Sequence, residues 1–190
     1  MQYEILQRPA NTVAKMIFND SDQLSAEGGS MIAMSAGLDL ETTTYKKGKG
    51  GLGKALKRMI GGESMFVNHY QSTQNGATLY LAPALSGDII AHQMQSADLI
   101  VQGGAYMAHW GDIELDMSWQ GFKNLLSKEG LFWLRIKGTG NVLFNSFGTV
   151  YEVDIEEGRE YIVDSGHIVA FEEGLDFKLS KVGTSWISSF

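Results

Sequence analysis

The sequence contains no cysteine, which removes disulfides, thiolate metal sites and cysteine nucleophiles from consideration. Proline is nearly absent, at 2 residues, and no run of 18 apolar residues occurs, so the chain has no candidate transmembrane helix. The first residues, MQYEILQRPANTVAKMIF, lack the basic and apolar regions of a secretory leader. These absences predict a soluble, cytoplasmic protein held together by packing alone. What the sequence has in quantity is glycine, 23 of 190 residues, with no Gly-X-Y period. Many tight turns between strands account for such glycine better than a fibrous helix does. With 44% hydrophobic residues the chain can bury a core, and an all-β fold is expected.

The net charge of −7 conceals an asymmetry. Lys46, Lys47, Lys49, Lys54, Lys57 and Arg58 are six of the fifteen basic residues, and residues 46–62 contain no acid. The rest of the chain therefore carries −13. Such a charge disfavours nucleic acid as a general partner, whereas the basic segment is a candidate surface for an anionic ligand or membrane.

Three passages repeat. LSAEGGSMIAMSAGLDL at 24–40, LIVQGGAYMAHWGDIEL at 99–115 and YIVDSGHIVAFEEGLDFKL at 161–179 align when Gly29, Gly104 and Gly166 are placed in register. Ala33, Ala108 and Ala170 then coincide, preceded by the apolar pairs Met31-Ile32, Tyr106-Met107 and Ile168-Val169. A second glycine follows each, at Gly37, Gly111 and Gly174. The pattern reads as strand, tight turn with positive φ, strand and second turn, with the alanine facing inward. Upstream, Phe66 and Phe132 open extended runs, each followed by a hairpin-type signal, Asn75-Gly76 and residues 138–141. Alternation predicts further strands at 13–18, 113–117, 150–155 and 175–179. The expected architecture is one domain over 1–190, with three units at 1–45, 63–117 and 131–180 in a pseudo-three-fold body. Residues 46–62 form the insertion, with a short basic helix over 52–60 on the apolar spacing of Leu52, Leu56, Met59 and Ile60. A weaker helical turn is expected around 122–126.

In this order, GGSMIAMS, KKGKGGLGKALKRMIGGESMFVN, QGGAYMA and VDSGHIVAFE resemble the bacterial relatives of the mitochondrial protein named for altered inheritance of mitochondria. The resemblance spans nearly the whole chain. It implies a fold of repeated β units similar to the tryptophan RNA-binding attenuation protein, TRAP, and a tendency to oligomerise, without fixing the number; the open edges and apolar faces of β units lead to the expectation of a homo-oligomer, with a trimer as the candidate. The resemblance implies no catalytic residues. Family chains commonly continue past the third unit with a further Gly-rich segment, whereas this one stops at Phe190, so an edge strand is expected to be missing or supplied differently.

No constellation for catalysis emerges. Residues 48–55 approach the phosphate-binding pattern G-x-x-x-x-G-K-[ST], but Ala55 stands where a hydroxyl should hold magnesium. His69, His92, His109 and His167 have no metal-ligand spacing, and the contiguous Asp164, Ser165 and His167 cannot adopt triad geometry. Glu114, Asp116, Glu156, Glu157, Glu172 and Glu173 are read as solvated, and Trp110, Trp119, Trp133 and Trp186 as core or interface anchors. The expected function is that of a non-enzymatic, self-associating structural or interaction protein without a cofactor. The alternative is a binding protein for an anionic ligand or membrane surface through 46–62.

Overall fold

A computed structural model of the chain describes residues 1–46, 64–95, 97–117, 133–176 and 178. The described residues form twelve strands and two short 3-10 turns, with no α-helix among them. None of their helices is therefore long and apolar enough to cross a membrane. The expected helices over 52–60 and 122–126 lie outside the described residues.

Alternation in the sequence sets the inward faces. In β2 (Val13–Phe18), Ala14, Met16 and Phe18 are buried, and in β7 (Ala77–Leu81), Ala77, Leu79 and Leu81 are buried. The two strands pair antiparallel with Ala14 opposite Leu81 and Met16 opposite Leu79, so the inward side chains share one face. β1 (Gln2–Leu6) and β4 (Met31–Met34) flank this pair to complete a four-stranded sheet. Each large apolar side chain removed from water here contributes about 1.5–3 kcal/mol before its entropy cost.

The second sheet is larger. It contains β3 (Gln23–Glu27), β5 (Leu38–Lys46), β6 (Ser64–Ser72), β8 (Gly87–Met94), β9 (Leu99–Gln102), β10 (Tyr106–Asp116), β11 (Trp133–Phe147) and β12 (Ala170–Glu172). β11 is its spine. The strand runs antiparallel to β10, while its other edge is shared by β9 over its first half and β8 over its second. The change of partner falls at residues 138–140, so the hairpin turn expected at 138–141 is instead a corner inside a continuous strand. Glycine is required there. Gly138 has φ +103°, and a Cβ on it would lie 2.0 Å from the Asp112 carbonyl oxygen. Gly111 faces Gly140 across the pair, at a similarly close approach.

In the N-terminal half, β6 pairs with β3 and β5, while β7 pairs with β2 and β4. These are the pairings that the two halves of β11 make with β9, β8 and β10, except that the corner at Asn75-Gly76 is a break between two strands. A register shift lies between Met31 and Ala33 in one set and between Tyr106 and Ala108 in the other. Each follows its turn glycine by the same number of residues, so the aligned apolar pairs sit at bulges.

Other expectations are corrected. Of the three register glycines only Gly29 has positive φ; Gly104 and Gly166 sit in 3-10 turns, whose i to i+3 bonds reverse the chain without it. The aligned alanines are not uniformly inward, since Ala33 is exposed on β4, Ala108 is buried and Ala170 is half-buried. Residues 150–155 alternate in sequence but form no strand, and the described residues of 175–179 form none either. Alternation makes a strand only where a neighbour supplies ladder partners.

The buried apolar side chains divide into two main cores, the first shared by both sheets and the second built within the larger one. Met16, Phe18, Leu24, Tyr70 and Leu79 belong to the first, and Val67, Met94, Tyr106, Leu134 and Phe144 to the second. A small satellite joins Ile100 and Trp133 to Ile168 and Phe171, with the Trp133 and Phe171 rings edge-on at 5.9 Å. The core role read for Trp133 holds. Trp110 packs against Tyr3 at 5.4 Å, and Trp119 and Trp186 lie outside the described residues.

Candidate functional site

The three aligned glycine turns meet at one cavity of about 460 Å³. Gly28, Gly29 and Ser30 line it from the turn after β3; Gly104 and Ala105 line it from the turn after β9; Gly166, His167 and Ile168 line it from the turn before β12. Gly28 permits a close approach, since a Cβ there would stand 2.9 Å from that of Phe66, while its amide donates to the Phe66 carbonyl at 2.7 Å. Ser30 closes the turn by donating its hydroxyl to the Glu27 carbonyl at 2.7 Å. The turn before β12 is fastened by the His167 amide on the Asp164 carbonyl at 2.9 Å, and its exit is tied to β9 by the Gln102 amide on the Val169 carbonyl at 2.9 Å.

Among the described residues Glu27 is the one carboxylate that lines this cavity. It is half-buried and meets no hydrogen-bond donor or cation among the described residues, and burial alone pushes its carboxyl up to about 7. Gln102, two residues before Gly104 as Glu27 is two before Gly29, also lines the cavity with its amide beside that turn. Asn145 contributes from β11, its Nδ2 donating to the Ala105 carbonyl at 3.4 Å. Leu85 and Phe147 form an apolar rim at 65% and 82% exposure.

A second cavity, of about 430 Å³, lies along β3 and β10 and is lined by Ser25 and His109, among others. Across the adjoining strands His69 and His109 stand directly opposite Ser25 on either side. Ser25 Oγ lies 2.8 Å from His69 Nδ1, and Thr43 Oγ1 lies 2.7 Å from His69 Nε2. His109 Nδ1 is 2.7 Å from the Tyr106 hydroxyl; burial, with the nearby His69, lowers it to about 4 and keeps it neutral. A serine beside a histidine invites a nucleophile reading, but the imidazole is held by the Thr43 hydroxyl where a catalytic relay uses a carboxylate. The arrangement satisfies polar groups at a core edge.

Of the residues singled out in the sequence, Gly29, Gly104 and Gly166 are brought together at the first cavity. Lys46 ends β5, while Lys47, Lys49, Lys54, Lys57 and Arg58 lie outside the described residues. His167 faces Asp164 at 3.3 Å on an exposed turn. Among the described residues no three metal-capable side chains cluster. The polar residues missed in the sequence are Glu27, the pair Arg8 and Asp88, and the network of Ser25, His69 and His109. Only Glu27 had a local signal, an acid directly before a Gly-Gly turn.

The profile of one protein family, described as Mitochondrial biogenesis AIM24, matches residues 3–190. The chain belongs to the AIM24 family. An AIM24 relative, an uncharacterized protein of Streptococcus pyogenes serotype M6, is 32% identical over 157 residues, which make up 80% of this chain and 62% of the relative. This AIM24 chain thus spans less than two thirds of that relative's length. The crystal structure of a second Streptococcus pyogenes protein superposes with a TM-score of 0.73 at 27% identity, covering 99% of this chain and 83% of that one.

Proposed function

We propose that this AIM24 chain is a non-catalytic, self-associating interaction module built from three related β units around the glycine-lined cavity. The observation that carries the reading is an open strand edge beside uncovered apolar residues. Among the described residues β4 pairs on one side only, with β7, and exposes Ile32 and Met34; residues 161–163, Tyr161, Ile162 and Val163, are exposed and join no sheet. An unpaired edge with apolar side chains is a template for association.

Register tells which partner suits it. Ala108, four residues past Gly104, pairs with Ala26, three before Gly29; Ala170, four past Gly166, pairs with Val101, three before Gly104. The same rule applied once more joins Ala33 to Val163. Supplied between copies, that pairing is heterologous and gives a ring where its rotation closes, with a trimer as the candidate number. Light scattering across micromolar concentrations should give a multiple of 20.9 kDa. Val163→Asp together with Ile32→Asp should dissociate the assembly by setting like charges on its two edges, and a wild type that stays at the monomer mass overturns the reading.

A further inference from the structure

We propose that the cavity where the three glycine turns meet binds a small organic cation, an alkylammonium whose charged head faces Glu27 and whose hydrocarbon body lies against Leu85 and Phe147. This goes beyond self-association and does not depend on it.

Size argues first. About 460 Å³ falls within the roughly 300–1,000 Å³ of small-molecule sites and far exceeds a bare ion, and no metal-capable cluster exists among the described residues. Charge argues next. Glu27 is a half-buried carboxylate without a partner among the described residues, so water has been partly removed from it with nothing from them in return. Among the described residues His167 is the only other titratable side chain that lines the cavity, and its Nδ1 is turned to Asp164. The chain as a whole carries −7, a net charge that favours cations over anions.

The remaining lining fits an ammonium head on a carbon body. Asn145 spends its Nδ2 on the Ala105 carbonyl, which leaves its Oδ1 to accept, and Gln102 brings a second amide oxygen. An ammonium offers only donors, so acceptors are what it needs. Phe147 and Leu85, conspicuously exposed for their size, offer an aromatic face and an aliphatic one, and a cation over an aromatic ring is itself attracted. The space is real at Gly166, where a Cβ would meet nothing within 4 Å and the backbone φ is not positive. A larger side chain can be built there without strain and would narrow the cavity.

Isothermal titration of the full chain at about pH 8 and low salt, with hexylammonium, hexan-1-ol and hexanoate as probes, tests the proposal. Hexylammonium should bind about tenfold or more tightly than hexanol, and hexanoate should not bind. Glu27→Gln should lose that advantage while still taking hexanol, and Gly166→Leu should weaken both probes. Protons should compete with the ammonium, so wild-type affinity should fall as the pH drops below about 7. Equal binding of hexylammonium and hexanol, unchanged hexylammonium binding in Glu27→Gln, or no binding of any probe to the wild type each overturns the proposal. Should Glu27→Gln fail to fold by circular dichroism, the Gly166→Leu variant and the wild-type pH series decide the matter.

Discussion

Removing the Arg8 guanidinium should destabilise the fold more than any other single surface truncation, because it strips a buried carboxylate of its charge partner. Asp88, at the start of β8, is 0% exposed, and Arg8, in the connection between β1 and β2, grips it with Nε to Oδ1 at 2.8 Å and a terminal guanidinium nitrogen to Oδ2 at 2.7 Å. Two further donors, the Ile89 amide at 2.9 Å and the Thr12 hydroxyl at 3.3 Å, remain when Arg8 is gone. Losing one member of a fully buried pair costs about 3–5 kcal/mol. The Arg8 side chain is 50% exposed, so water replaces part of what is lost, and Arg8→Ala should cost about 2–3 kcal/mol. For a chain of this length that is a fall of about 5–10 °C in the thermal midpoint. Lysine should restore only part of it, since an ammonium cannot make the bidentate fork.

The pH dependence checks the cause. The Arg8 hydrogen bonds hold Asp88 below the usual carboxylate range, outweighing the upward push of desolvation. A depressed carboxylate contributes its stability above its unfolded value, near 3.8, and loses it as the pH falls through the lower folded one. Urea unfolding of wild type, Arg8→Ala, Asp88→Asn and the double variant should give a coupling above about 1 kcal/mol at neutral pH that shrinks toward about pH 3. A change within about 0.5 kcal/mol for Arg8→Ala, or a loss independent of pH, refutes the argument.

Gly138→Ala should cost about 3 kcal/mol or more in urea unfolding, since its Cβ meets backbone at 2.0 Å, whereas Gly29→Ala should cost about 1–2 kcal/mol from positive φ alone because nothing lies within 4 Å. His109, buried neutral with its value lowered from 6.5 to about 4, makes the unfolded chain the better proton acceptor across that window. The His109 contribution to stability should therefore fall as the pH drops from about 6.5 to about 4, against an opposite slope from Glu27, which is raised to about 7, so His109→Gln should raise the urea midpoint at about pH 4–5 relative to neutral pH more than wild type does. Replacing Lys54, Lys57 and Arg58 by Gln should reduce salt-sensitive flotation with anionic vesicles while leaving the thermal midpoint near the wild-type value.

What the sequence made legible was local. The alternation of Ala14, Met16 and Phe18 announced an inward face because a strand's period is visible within six residues. The glycine register was legible too, and the residues it aligned do meet at one cavity. The error at 138–141 has a physical origin. A glycine with positive φ serves a two-residue hairpin and a strand corner alike, and only the close crossing of Gly111 and Gly140 distinguishes them. Residues 150–155 misled for a related reason, since alternation supplies a face and not a ladder partner. Arg8 and Asp88 lie 80 residues apart, and the strain on Glu27 comes from what surrounds it, so neither could be read from neighbours in the chain.

The cavity follows from the devices that build the turns. Small residues let the chain reverse where three segments converge, and the same lack of side chains leaves the meeting point unfilled: nothing lies within 4 Å of a Cβ at Gly29 or Gly166. Three identical subunits would place one residue type three times around such a point. A single chain is free to vary it, and the position two before each register glycine holds Glu27, Gln102 and Asp164. Of these, Glu27 and Gln102 line the cavity while Asp164 is spent on His167, so the charge sits on one side and an acceptor amide on another. A site with that asymmetry can orient a ligand as well as hold it. In the three-unit reading, repetition supplies the space and divergence at one repeat position supplies the chemistry.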